Sequence, residues 1–187
     1  MKATELLKED HGRILRALNV LEKMATRAER EKTLDPRAVE DIVAFLQVFA
    51  DRHHQGKEEG ILFPALLQDR TQKNYDNLCC LIFEHNQERY LVEGLGESIQ
   101  TKNTREFVYC ASRLIESLRS HIEKENLILF ELADSALSPI DDKSVAAEMQ
   151  KFEQPGQRKV LADLLIKLDA LESEYTGEKH VRTAVRS

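Results

Sequence analysis

Along the first 136 residues, apolar positions recur in steps of three and four, the period of an amphipathic helix. Four such runs stand out. The first reads Leu7, His11, Ile14, Leu18, Leu21, Ala25 and predicts a helix from about Thr4, a candidate cap, to about Ala28. Residues 29–34 are polar and read as a loop. The second opens at Asp35-Pro36, an acidic cap followed by proline at the first helical position. It continues through Val39, Val43, Leu46, Ala50, His54, Glu58 and Ile61. Pro64 lacks a backbone donor and should kink or end it. After a polar turn at 68–74, the third helix is expected from about Tyr75 to Ile99, over Leu78, Leu81, His85, Val92, Leu95 and Ile99. Asn103, with Glu106 three residues on, has the form of a capping box. It precedes the cleanest run, Phe107, Ala111, Leu114, Leu118, His121, Glu125, Ile128, Leu132.

The pattern changes after Ala136. Ser138-Pro139 and Asp141-Asp142 mark a break, a short helix is expected at about Ser144 to Phe152, and Pro155-Gly156 breaks the chain again. A last amphipathic helix carries Leu161, Leu164, Leu165, Leu168, Leu171 and Tyr175, and the final ten residues read as a loose tail. This divides the chain into a four-helix unit at 1–136 and a C-terminal helical extension at 137–187, packing on that unit or on a second subunit.

The seams carry an anomaly. His54 and Glu58 are four residues apart, as are His121 and Glu125, so each pair shares a helix face. His11 and His85 lie on the apolar stripes of the other two helices. Each histidine alone is weak testimony. Together, four of the six histidines fall on inward stripes, one per helix, and two are followed by a glutamate on the same stripe. Burying unpaired carboxylates costs several kcal/mol each. A metal removes the conflict, since carboxylates become anionic ligands and imidazoles neutral donors. Four imidazole nitrogens and four carboxylate oxygens supply four donors to each of two metals. Two octahedral ions sharing an oxo or hydroxo bridge would keep positions open for a small ligand. Such a donor set suits iron, with manganese or zinc as alternatives. A single zinc would leave buried groups unexplained. The Glu-x-x-His of ferritin-like centres is absent: three residues before His54 is Asp51, and before His121 it is Leu118. The His-Glu-x-x-His of zinc proteases is absent as well.

Composition narrows the setting. The 187 residues are 42% hydrophobic and 32% charged with only 7 Gly and 4 Pro, which favours an all-α domain with a proper core. The net charge is −6 and the 27 basic residues are scattered, so nucleic acid is not an expected partner. Neither a signal segment nor an apolar run of about 20 residues is visible, so we expect no membrane contact and a cytoplasmic location. Cys79, Cys80 and Cys110 form no disulfide framework. Cys79 and Cys80 are expected to be small buried hydrophobes. Gly56 and Gly60 sit within the second helix, where they either admit a close neighbour or mark fraying before Pro64. Tyr90 and Tyr109 are expected to pack between helices, or to lie near the centre as donors or radical sites.

Four segments carry a family resemblance: Asp10-His11, His53 to Pro64 (HHQGKEEGILFP), Glu84 to Asn86 (EHN) and His121 to Asn126 (HIEKEN). Over about residues 4–136 the chain resembles the hemerythrin-like, HHE cation-binding family. The resemblance implies an antiparallel up-down four-helix bundle around a carboxylate-bridged di-iron centre. It implies His11, His54, Glu58, His85, His121 and Glu125 as ligands, with Glu58 and Glu125 bridging. His53 and Glu59 would point elsewhere unless a bulge at Gly56 shifts the register. The invertebrate oxygen carriers of the family pair another histidine four residues away on the third helix; here Leu81 and Arg89 flank His85 at that spacing. They also end with His and Asp five apart, whereas Asn126 stands here and the acid is Glu125. The set is closer to bacterial hemerythrin-like proteins, iron-sulfur repair di-iron proteins and an iron-sensing ubiquitin-ligase domain. With the first bundle helix opening this sequence, the N-terminal cysteine-pair domain of the repair proteins is not expected. The expected function is binding or sensing of a small diatomic ligand or peroxide, or iron handling, by a monomer or homodimer. The alternatives are a di-iron oxidoreductase acting on nitric oxide or peroxide, an iron donor in cluster repair, and a bundle that metal merely staples.

Overall fold

The computed structural model describes residues 1–67, 72–152 and 155–177, all helical apart from short connections. The elements are α1 (Ala3–Glu31), α2 (Pro36–Phe45), π1 (Leu46–Gln55), π2 (Glu58–Leu62), α3 (Phe63–Leu66), α4 (Gln72–Gln100), α5 (Thr104–Lys124), π3 (Glu125–Leu129), α6 (Phe130–Ala136), α7 (Pro139–Phe152) and α8 (Pro155–Tyr175). Four long rods result, because α2 runs through π1 and π2 into α3, and α5 runs through π3 into α6. They form an antiparallel bundle. Lys2 at the start of α1 pairs with Asp134 near the end of α6, while Glu22 meets Arg119 on α5. Among the described residues, no helix is long and apolar enough to cross a membrane.

The local signals explain most boundaries. Asp35 accepts from the N–H groups of Arg37 (3.0 Å) and Ala38 (3.2 Å), with Pro36 following. Asn103 accepts from Glu106 N–H at 3.1 Å, but the reciprocal half of a capping box is missing, because the Glu106 carboxylate takes the Cys110 thiol instead. Thr4 is not the cap of α1. The helix starts at Ala3, Lys2 N–H donates to Glu5 at 2.7 Å, and the Thr4 hydroxyl donates to Asp134 at 2.9 Å. Helix α1 also consumes half of the expected loop, ending at Glu31 with Lys32 in the left-handed region (φ 57°). Ser138-Pro139 is a start rather than a break: Ser138 Oγ accepts from Asp141 N–H at 3.2 Å, and α7 begins at Pro139. Much of the expected 68–74 turn, residues 153–154 and the last ten residues lie outside the described residues.

The π-helical turns shift the expected seams. At the end of π2 the Phe63 N–H reaches the Glu58 carbonyl, and at the end of π3 the Phe130 N–H reaches the Glu125 carbonyl, five residues back. Each inserts one residue into the heptad-like pattern. Ile61 and Ile128 were expected inward, yet Leu62 and Leu129 are the buried ones, and Ile128 is 58% exposed. Pro64 therefore sits just past a wide turn and the helix continues to Leu66.

The core has two apolar clusters with a polar layer between them. One is built on Ile14, Leu18, Leu21, Phe45, Phe49, Leu95, Phe107 and Leu114; α8 covers it with Leu161, Leu164, Leu168 and Leu171. The other is built on Leu7, Leu62, Phe63, Leu81, Leu129 and Phe130, and α7 adds Val145, Ala146 and Met149. The extension thus packs along α1 and the second rod, with Arg16 bridging to Asp169 (2.6 Å) and Glu172 (2.5 Å). Gly56 faces the Phe152 ring of α7, whose nearest atom would be 3.1 Å from an added Cβ, whereas Gly60 has nothing within 4 Å. Three expectations fail at the surface. Cys79 and Cys80 are exposed rather than buried, and only Cys110 is inside. Tyr90 and Tyr109 are 75% and 60% exposed, so neither packs the core nor approaches the polar layer.

Candidate metal centre

The polar layer holds all six residues singled out by the pattern. His11 comes from α1, His54 from π1, Glu58 from π2, His85 from α4, His121 from α5 and Glu125 from π3. All six are almost completely buried. Their donor atoms form two groups, each with every atom within 4.8 Å of the others. One is His11, His54, Glu58 and Glu125; the other is His85, His121, Glu58 and Glu125. Both groups share both carboxylates.

Inner distances agree with this division. Glu125 places Oε2 3.1 Å from His11 Nε2 and Oε1 3.1 Å from His121 Nε2. Glu58 places Oε1 3.5 Å from His54 Nε2 and Oε2 3.6 Å from His85 Nε2. Neither Glu58 oxygen has a hydrogen-bond partner, and Glu125 Oε1 lies outside hydrogen-bond geometry despite its proximity to His121. Buried carboxylate oxygens without donors are costly unless a cation is present. Burial, then the Glu125 charge, pushes the Glu58 carboxyl well above its ordinary range. Burial pushes Glu125 the same way, but the hydrogen bond from His11 and the close approach of His121 outweigh it and hold Glu125 well below.

A second set of residues orients the imidazoles. His11 Nδ1 meets Asn126 Oδ1 at 3.0 Å, His85 Nδ1 meets Glu59 at 2.7 Å, and His121 Nδ1 meets Glu84 at 2.8 Å. His54 Nδ1 faces Asp10 at 3.6 Å, longer than a hydrogen bond. The arrangement is cyclic. Each of these four residues is the chain neighbour of one of the six, and each serves the histidine of the next rod: Asp10 on α1, Glu59 on the second rod, Glu84 on α4, Asn126 on the fourth rod. With Nδ1–H donated outward, each Nε2 lone pair is turned inward. His85 Nε2 and His121 Nε2 then stand 3.0 Å apart with both outer nitrogens committed. Without a cation between them, one ring must carry an extra proton. Burial opposes this at His121, but the adjacent Glu125 carboxylate and the hydrogen bond to Glu84 prevail and raise it to about 11. Burial lowers His85 and takes His54 down to about 4. The donor chemistry fits a metal pair: four neutral nitrogens, two shared carboxylates and unsatisfied oxygens in one dry layer.

The outer shell was not anticipated. Glu59, expected to point elsewhere, is held by His85, and with Arg89 its carboxyl falls to about 2. Glu84 falls to about 2 through His121 and Lys124. His53 is buried, with Nε2 3.1 Å from Lys57 Nζ, and burial takes it down to about 4. Lys57 is buried on Asp10, which also receives Arg13 at 3.0 Å. Glu88 is buried too, accepting from Gln55 at 2.8 Å and Ser117 at 3.1 Å. Its position was legible, since 85, 88, 92 and 95 continue one helical stripe.

The chain matches the hemerythrin HHE cation-binding domain over residues 2–133 and belongs to that family. No curated protein and no solved structure gave a significant match.

Proposed function

We propose that this layer binds two iron ions, one on His11 and His54, the other on His85 and His121, with Glu58 and Glu125 bridging them. The protein uses the pair to bind or sense oxygen, nitric oxide or peroxide, or to handle iron. The observation that carries this reading is the sharing of both carboxylates by two otherwise separate histidine pairs. When bound, the iron pair supplies one-electron chemistry and open coordination positions. The chain supplies the rest. Asp10, Glu59, Glu84 and Asn126 hold the imidazoles so that each Nε2 faces inward. The two apolar clusters exclude water from above and below. Glu58, with no hydrogen bond to give up, is free to bind metal with both oxygens.

The test is anaerobic reconstitution with ferrous iron, followed by elemental analysis and optical spectra before and after oxygen and nitric oxide. Two irons per chain are expected, with oxidation by air that vacuum does not reverse. One metal at saturation would overturn the paired reading. Sustained consumption of nitric oxide or peroxide with a reductant would make the protein an oxidoreductase rather than a binder.

A further inference from the structure

A cavity of about 190 Å³ lies between π1, α4 and α5, beside the polar layer but lined by none of its six residues. Its apolar walls are Leu46 and Ala50 from π1, Val92 from α4, and Leu114 and Leu118 from α5; charged residues, Asp51, Arg52, Arg89 and Glu93, surround them. Ala50 presents only a methyl group where its neighbours in the rod carry larger side chains, which leaves the space. The floor is polar, made by Gln55 and Glu88, 3% exposed each. Gln55 Nε2 donates to Glu88, yet Gln55 Oε1 is buried without any hydrogen-bond partner. A buried carbonyl left so is worth a donor.

The surrounding charges rule on the ligand. At the mouth, Arg89 is committed to Asp51 (2.7 Å) and Glu59 (2.6 Å), and the other lining cation, the exposed Arg52, is matched in charge by Glu93, so the rim offers no surplus of positive charge to an anion. At the floor, each Glu88 oxygen already accepts one hydrogen bond, from Gln55 and Ser117, which leaves the carboxyl less in need of a cation than the Gln55 carbonyl is of a donor. Burial also pushes the Glu88 carboxyl up to about 7, which weakens its pull on a cation. A neutral molecule with a hydrocarbon body and one donor satisfies every wall. A wholly apolar cavity of roughly 150 Å³ accepts a benzene ring, so the space is large enough for one ring with a polar substituent.

We propose that this cavity is a binding site for a small neutral hydroxylated ring of phenol size, its body against the five apolar side chains and its hydroxyl donating to Gln55 Oε1. The floor stands one helical turn from His85 and next to His54, so the ligand lies beside the polar layer without belonging to it. The site does not depend on the identity of the metal.

The test is titration of phenol into the full-length protein as purified, followed by amide chemical shifts and calorimetry, with toluene as the hydroxyl-free control. Phenol is expected to saturate with shifts confined to π1, α4 and α5. Toluene should bind about tenfold more weakly, the worth of one buried hydrogen bond. Ala50→Leu, with an unchanged melting temperature, should abolish binding by filling the space. Gln55→Met should bring phenol down to the affinity of toluene. Absence of saturable phenol binding, equal affinity for phenol and toluene, or undiminished binding by Ala50→Leu would each overturn the proposal.

Discussion

The two halves of the polar layer present the same inner donors and different surroundings. On the His85–His121 side, both outer nitrogens face carboxylates at 2.7 and 2.8 Å. On the His11–His54 side, one faces a neutral amide at 3.0 Å and the other a carboxylate at 3.6 Å, which Lys57 and Arg13 already occupy. A carboxylate behind an imidazole raises its basicity and fixes its ring; an amide does so less. Deeper still, the His11–His54 side holds the buried Lys57–Asp10 ion pair, while the His85–His121 side is backed by Glu88 with only neutral donors on it. Equal ligand counts do not make equal sites, and the His85–His121 half should be the stronger one.

The largest effect expected is on what the halves share. Glu125→Gln replaces the carboxylate proposed to bridge by an amide, a poor bridge, and should release metal from both halves. It should leave the metal-free fold as stable as before or more so, since a buried charge is removed. The exposed Glu116→Gln should change neither property. Melts of loaded and metal-free protein decide the matter. If metal raises the mutant's midpoint as much as the wild type's, Glu125 does not bridge.

A smaller effect separates the halves. Glu84→Gln should weaken one of the two metals by about 10–100-fold, the usual cost of losing an outer carboxylate. Asn126→Ala should weaken the other by less. Anaerobic titration with ferrous or cobalt ion should show two phases in the wild type. The His85→Ala variant should lose the tighter phase and His11→Ala the weaker. A single phase of two equivalent ions, unchanged by Glu84→Gln, would erase the asymmetry.

The smallest effect belongs to Glu88, behind the His85–His121 half. Burial raises the Glu88 carboxyl from an ordinary 4.5 to about 7. The folded chain therefore holds this proton where the unfolded chain has lost it. The associated stability is fully present below about pH 4.5 and is lost as pH rises to about 7. Over that window the metal-free wild type should lose ~3 kcal/mol relative to Glu88→Gln. Denaturant unfolding at a series of pH values measures it, and parallel profiles for the two proteins would contradict it.

How much of this was legible along the chain follows from what each feature depends on. The four rods, the Asp35-Pro36 start and the inward placement of the histidines rest on local periodicity and capping, which sequence carries directly. The pairs His54/Glu58 and His121/Glu125 were legible for the same reason, because residues four apart share a face whatever the tertiary fold. The outer shell was not. Asp10, Glu59, Glu84 and Asn126 act on a neighbouring rod, and their partners are set only by rotation and packing of the bundle. The same holds for Cys79, Cys80, Tyr90 and Tyr109, placed outside by a packing choice that apolar character alone does not dictate.

The seams past Glu58 and Glu125 show where local reasoning ends. A steady period of 3.6 residues turns Ile61 and Ile128 inward. The folded chain instead inserts one residue by bonding five positions back, and Leu62 and Leu129 fill the core. A wide turn exchanges local regularity for better packing and for the aim of the carboxylate that begins it. The sequence by itself determined which helices form and which faces carry nitrogen and oxygen donors. Only the tertiary structure decided how those faces meet, because that is set by long-range contacts between rods that no single helix contains.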